Sequence, residues 1–291
     1  MPVDLRTCRS NITSQSGENG IIAAILAEIG AANRFCVEFG GYDAVKYSNV
    51  NPLWTREGFT AVLIEGDAAV AGRVRSQVDE LARSGAVTPP GRAVVISRWV
   101  QPTGPDSLDA ILAEVAGTGT AVPREPDVVS IDIDSLDHDV WAGLKDHRPR
   151  IVVIEHNPSI PPHLSVIGRA GTPRVGASAR AHSDLARTKG YTLVACTTFN
   201  CFFVPDEFAA RFADAGNLGA HFEPSHLVYV CRDFSGGMFY SARLPPAYSL
   251  RKDELAALGN PLFAPPPSEL AGLFRHPKVV LRRALKRLSG G

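Results

Sequence analysis

The sequence predicts an α/β protein built on one seven-stranded, mostly parallel sheet that ends in an antiparallel hairpin. Three observations point to it. Five short apolar β runs alternate with helical apolar stripes between residues 18 and 189, the pattern of a parallel sheet with helices on both faces. "YTLVACTTFNCFFVP" then sets two β runs back to back, joined at Phe199–Asn200, which reads as a hairpin. The chain has 291 residues, 45% hydrophobic and 21% charged, enough for one large core with an appendage.

The elements follow in order. From Glu18, apolar residues at Ile21, Ile22, Ile25, Leu26 and Ile29 make a helical stripe closed by Gly30. Phe35 to Phe39 reads as a buried strand, and Pro52 to Arg56 as a short helix leading through Gly58 into the strand "TAVLIE". Val70, Val74, Val78 and Leu81 mark the next helix and "RAVVIS" the third strand. Leu108, Ile111, Leu112 and Val115 form another helix, followed by "DVVSIDID" (127–134), a helix carrying Val140, Trp141 and Leu144, and "RIVVIE" (150–155). A Pro- and Gly-rich loop, 157–176, precedes a helix from about Ala177 to Lys189 and then the hairpin. Residues 1–205 read as one domain. Residues 206–291, broken by Pro245–Pro246 and "APPP", read as an appendage.

Thirty basic and thirty acidic residues cancel, so no global field draws the chain to nucleic acid. From Arg275 to the end, however, six Lys or Arg stand with no acid among Val279, Val280, Leu281, Leu285 and Leu288. That is the pattern of a basic amphipathic helix for an anionic membrane surface or an acidic partner, or else of a solvated end. The five cysteines form no C-x-x-C, the first residues lack a signal-peptide core, and no apolar run reaches about 18 residues. The expectation is a cytoplasmic protein, peripheral to the membrane if the tail binds there.

A doubly wound sheet holds its ligand at the carboxyl ends of its strands, so the residues there are the candidates. The first strand ends in Glu38, Gly40 and Gly41, followed by Asp43, without the third glycine of a dinucleotide loop. Two carboxylates would serve a pyrophosphate poorly and a cationic cofactor well. Twenty-five positions beyond Gly40, Glu65 ends the second strand, with Asp67 two residues on. Glu65 is placed to accept hydrogen bonds from a ribose diol, of NAD as well as of S-adenosylmethionine. A glycine turn with a surface acid would leave the same letters.

The stretches "SQSGENGII", "FCVEFGGYDAVKYSN", "FTAVLIEGD", "VVSIDIDSLDHDVW", "IVVIEHNPSIPP" and "GYTLVACTTFNCFFV" resemble, in order and spacing over roughly residues 14–205, the FkbM-type methyltransferases. The resemblance implies a class I methyltransferase (Rossmann-like) fold, S-adenosylmethionine as cofactor, and methylation of a sugar or polyketide hydroxyl. Against that family's usual "GAxDG", Gly41 replaces the alanine and Ala44 the final glycine, while Asp43 matches. The likeness also implies that Gln15 or Glu18 faces the methionine end of the cofactor. Ser48 and Asn49 face the same pocket or cap the helix that follows; Ser16 with Asn19 reads as a weak capping box.

The second constellation is acidic. Asp132 and Asp134 end the fourth strand, and Glu155, His156 and Asn157 the fifth. In a regular strand Asp132 and Asp134 share a face, as do Glu155 and Asn157, so a Mg²⁺ ion held by Asp132 and by Glu155 or Asn157, with Asp134 bound directly or through water, is expected to bind and acidify the acceptor hydroxyl. The bland alternative has Asp134 capping the next helix and Glu155 facing cofactor or solvent. His138, one turn into that helix, is the candidate general base alongside Asp132, with His156 its competitor. Two further readings stay open: an NAD-dependent oxidoreductase or epimerase, and a catalytically degenerate methyltransferase fold that only binds.

Overall fold

In the computed structural model the described residues are 1–40, 43–133, 135–168, 176–227, 229–232, 234 and 238–240. The basic tail, Gly41 and Asp134 lie outside them. The chain forms two compact units, Met1–Ser225 and His226–Gly291. Within the described part of the second unit, Val230–Arg232 pairs antiparallel with Met238–Tyr240.

The first unit holds helix α1 (Glu18–Ile29), β1 (Phe35–Phe39), α2 (Asn51–Arg56), β2 (Thr60–Glu65), α3 (Ala68–Arg83), β3 (Arg92–Ser97) and α4 (Leu108–Gly117). It continues with β4 (Val128–Ile131), α5 (Asp137–Gly143), β5 (Val152–Glu155), α6 (Ala179–Lys189), β6 (Tyr191–Cys196), β7 (Asn200–Pro205) and α7 (Leu218–His221). The seven strands form one sheet in the order β3-β2-β1-β4-β5-β7-β6. β1 to β5 are parallel, and β7 runs antiparallel to both β5 and β6. This is the class I methyltransferase sheet. The chain steps outward one way from β1 to β3 and the other way from β4, so the switch point lies between β1 and β4, where the carboxyl ends of open α/β strands leave a crevice.

The strands form where the sequence packs both faces. Every residue of β1 is buried. On one face, Ile21, Ile22, Ile25, Leu26 and Ile29 of α1 share a core cluster with Cys36, Val128, Val153, Val194 and Phe202. On α5, Trp141 meets Phe203 at 5.0 Å and Tyr191 at 5.8 Å between ring centroids, edge-on or tilted as ring quadrupoles favour. Helices start where short polar side chains bond free amides: Asp67 accepts from Ala69 and Val70, Ser107 from Ala110, Ser178 from Ala181.

One strand boundary differs from the sequence reading. β4 stops at Ile131 instead of running to 134. The buried Asp137 accepts from the amides of Ile133 and Ser135 (2.8 and 3.0 Å), which turns the chain into α5 rather than along the ladder. The first unit also runs past 205. Arg6 pairs with Asp214 at 2.8 Å, Arg148 with Glu207 at 2.9 Å, and Val3 bridges Phe212, which ties residues 206–214 to this core.

Candidate functional site

At the switch point Gly40 leaves β1 with φ 79°, and a Cβ built there would lie 1.7 Å from the carbonyl oxygen of Asp132. No other residue fits. A side chain would need both the left-handed backbone and the space of the neighbouring strand's main chain. The backbones of the β1 and β4 ends therefore approach as closely as they can.

The loop beyond is organised by Glu38. Its carboxylate is buried, accepting from Ser48 Oγ at 2.5 Å and from the Asn49 amide at 2.6 Å. Burial pushes its pKa up to about 7, against the pull of these bonds and that of the Val50 amide. Ser48 Oγ also accepts from the Asn51 amide, opening α2, and the Asn49 side chain donates to Ser130 Oγ on β4. So Glu38, Ser48 and Asn49 do come together, but they hold one another. Asp43 similarly caps its own turn, accepting from the amides of Val45 and Lys46. Asp67 caps α3, and the Asp67 amide donates to Glu65 at the end of β2 (3.0 Å). Ala44, where the resembling family has glycine, takes φ 65° with its methyl buried in the core.

Glu18 and Asn19 were legible as more than a cap. They extend the buried stripe of Ile22, Ile25, Leu26 and Ile29 one turn toward the N-terminus, and polar residues on a core-facing stripe must find partners. Asn19 Oδ1 accepts from the amides of Ile12, Thr13 and Ser14, and its Nδ2 donates to the carbonyls of Ser48 and Asn49. The expected Ser16–Asn19 box is absent: Gly17 is the N-cap, and the Asn19 amide donates to Ser14 Oγ. Glu18 is fully buried, accepting from the Ser16 amide and from Thr197 Oγ in the hairpin turn (2.7 Å each). Gln15 is exposed. Trp99, just past β3, was missed because only the ends of strands one, two, four and five were searched; its ring lies against Gly66, after β2.

At the other half of the edge, His138 on α5 is mostly buried, with Nδ1 3.3 Å from Asp139 and its ring 5.8 Å from that of His182 on α6. His182 Nε2 donates to the Glu155 carbonyl at 2.9 Å, and His156 Nε2 faces the Thr197 carbonyl at 3.4 Å. Burial holds the pKa of His182 down near 3 and of His156 down near 4. Both rings are therefore neutral.

The magnesium expectation finds no support. Among the described residues no group of three or more His, Cys, Asp or Glu could hold a metal ion. The strand spacing behind it also fails. β4 ends before Asp132, and Asn157 lies beyond β5 in a turn where its Oδ1 accepts from Ser159 N and Oγ (2.9 and 2.6 Å).

No family model matches the chain, and no curated protein matches it. Solved structures do. An O-methyltransferase from Bacillus cereus in complex with SAH is 16% identical with a TM-score of 0.41, over 66% of this chain and 82% of that one. The O-methyltransferase TomG from Streptomyces achromogenes, in complex with SAM, is 20% identical with a TM-score of 0.38, over 66% and 82%. The [4+2]-cyclase SpnF is 10% identical with a TM-score of 0.38, over 64% and 62%. At such identities and scores the likeness speaks to no more than fold, and fold alone does not fix a reaction.

Proposed function

We propose that the chain is an S-adenosylmethionine-dependent methyltransferase acting on a hydroxyl. One observation carries the choice of cofactor. A dinucleotide fold sets its pyrophosphate on the amides that open the helix after β1. Here the amides of Asn49 and Asn51 already serve Glu38 and Ser48, so the phosphate cradle is taken. What the edge offers instead is a partly exposed carboxylate, Glu65, for a ribose diol. The FkbM-type resemblance supports an oxygen acceptor.

When bound, the cofactor would supply an electrophilic methyl group on a sulfonium. The chain would contribute alignment, which is most of the catalysis such a displacement needs, and a base. His138 would take the proton of the acceptor's hydroxyl. Asp139 stabilises the resulting imidazolium, and the neutral His182 ring adds no repulsion to it.

S-adenosylhomocysteine should raise the Tm and NAD should not, because a ligand of the folded state stabilises it. Glu65→Ala should weaken S-adenosylhomocysteine by roughly 1–3 kcal/mol in calorimetry. A response to NAD alone would reverse the assignment.

A further inference from the structure

Two thiols meet at the hairpin end nearest the candidate site. Cys196 is the last residue of β6 and Cys201 the second of β7, and they stand opposite each other in the antiparallel pair. Their sulfurs are buried and 3.6 Å apart, with no disulfide between them. The register makes this meeting specific. In the neighbouring pair the Thr197 amide donates to the Asn200 carbonyl at 2.8 Å. Hydrogen-bonded and open pairs alternate along an antiparallel ladder, so Cys196 and Cys201 fall on an open pair, with side chains at their closest and Cα atoms about 4.5 Å apart. That separation lies within the span of a disulfide.

The turn beyond this pair holds buried groups of the carboxyl edge. Thr197 Oγ donates to Glu18 at 2.7 Å, and Asn200 Nδ2 to the same oxygen at 3.4 Å. The His156 amide donates to the Phe199 carbonyl at 2.7 Å. Glu18 in turn accepts from the Ser16 amide, and Asn19 beside it fixes Ser48 and Asn49. Joining the sulfurs would shorten their separation from 3.6 Å to about 2.0 Å, one residue behind the turn. The bonds just named carry that shift to Glu18 and to the loop after β1.

We propose that Cys196 and Cys201 are a modification site, oxidised to a disulfide by a peroxide, and that this bond weakens the hold on the cofactor at the Gly40 crevice. Cys196 ends the edge strand of the sheet, and burial pushes the Cys201 thiol up, so Cys196 reacts first. Its sulfur, as thiolate, attacks one peroxide oxygen; the O–O bond breaks, leaving a sulfenic acid and water. The Cys201 sulfur loses its proton, bonds to the Cys196 sulfur and displaces the hydroxyl as a second water. Two thiols give up two electrons, and one peroxide is reduced. A dithiol reverses the bond by exchange. The thiol chemistry stands apart from the methyltransferase reading; its effect on cofactor binding rests on that reading.

The test treats full-length protein with hydrogen peroxide and then with dithiothreitol. Trypsin releases residues 190–211, "GYTLVACTTFNCFFVPDEFAAR", with both cysteines and no methionine. This peptide should lose the mass of two hydrogens and resist iodoacetamide, and dithiothreitol should reverse both changes. S-adenosylhomocysteine affinity should fall at least about fivefold on oxidation, the lower end of common couplings between sites, and return on reduction. Cys196→Ala and Cys201→Ala, each binding as the wild type does when reduced, should keep that affinity under peroxide. A peptide left unchanged, or one that gains oxygen instead of losing hydrogen, overturns the inference. So does a disulfide that leaves the affinity as it was, or a loss that persists in both alanine variants. Reduced wild-type protein that forms the disulfide but binds no S-adenosylhomocysteine sinks the methyltransferase reading instead and leaves the thiol pair standing.

Discussion

The two edges of the sheet solve the same problem in opposite ways. At the amino edge, Asp127 is fully buried just before β4, and every partner it needs is in place. Its oxygens accept from the amides of Ala32, Asn33 and Arg34 at 2.7–3.0 Å, with Arg150 Nε 3.2 Å away, off hydrogen-bond angle but close enough for charge. A cavity of about 550 Å³ opens at this edge beside Tyr191, but Arg148 within it is already held by Glu207. At the carboxyl edge, buried atoms are left over. His156 Nδ1, His182 Nδ1 and Asn200 Oδ1 have no hydrogen-bond partner among the described residues. Ala44 and Tyr47 also adopt left-handed backbone there. Neither edge is free of cost, since at the amino edge Arg34 is left-handed and, among the described residues, Trp141 Nε1 and Arg150 Nε lack a hydrogen bond. The costs of the carboxyl edge, however, surround the candidate site.

The largest effect should come from breaking the finished edge. Asp127→Ala takes the counter-charge from Arg150, which is left with the Ile29 and Gly30 carbonyls, and the acceptor from three amides, so urea unfolding should show a loss of about 3–5 kcal/mol. A loss under about 1 kcal/mol would mean that the amino edge is no better built than the other.

The carboxyl edge should instead appear in the pH dependence. His156 and His182 have folded pKa values lowered to about 4 and about 3, so on unfolding they gain protons below about pH 6.5, and stability falls as pH drops through that window. Glu38, raised to about 7, acts oppositely: its contribution is present at low pH and is lost as pH rises from about 4.5 to 7. Each group is worth about 1.4 kcal/mol per pH unit. These three together predict a net fall of about 1.4 kcal/mol per unit from pH 6.5 to 4.5. His182→Asn should flatten it. An unchanged slope in that variant would show that His182 titrates in the fold as it does in the unfolded chain.

The smallest effect tests whether the left-handed backbone is a true burden. Ala44→Gly relieves roughly 1 kcal/mol of left-handed strain but removes a buried methyl worth about 0.8 kcal/mol. The expected net change in urea unfolding is under about 0.5 kcal/mol. A gain above about 1 kcal/mol would mean that the methyl contributes little.

The seven strands were legible because burial on both faces writes a continuous apolar run into the sequence, as in β1 and β5. The roles of polar residues were less so. Glu38 and Asp67 look the same in sequence whether they meet a cofactor or a backbone amide. Which one holds depends on chain geometry: Glu38 meets Asn49 across 11 positions, and Asn19 meets Asn49 across 30. His182 left no signal, since its helix buries mainly alanines around it. The spacing argument for a metal lost its basis at a strand end, where β4 stops at Ile131 and Asp137 makes a local bond.

Asn19 has a consequence for searching and for design. Its carbonyl oxygen is shared by three amides while its nitrogen serves two carbonyls 29 and 30 residues away. Aspartate would turn both outgoing bonds into repulsions, glutamine would overshoot, and serine could not span the two loops. In a saturation library this position should therefore be among the least permissive outside the core. A pattern of Asn in the second helical position, followed about 30 residues later by Ser-Asn, should pick out chains sharing this double-loop lock even where the glycine signature between them has drifted.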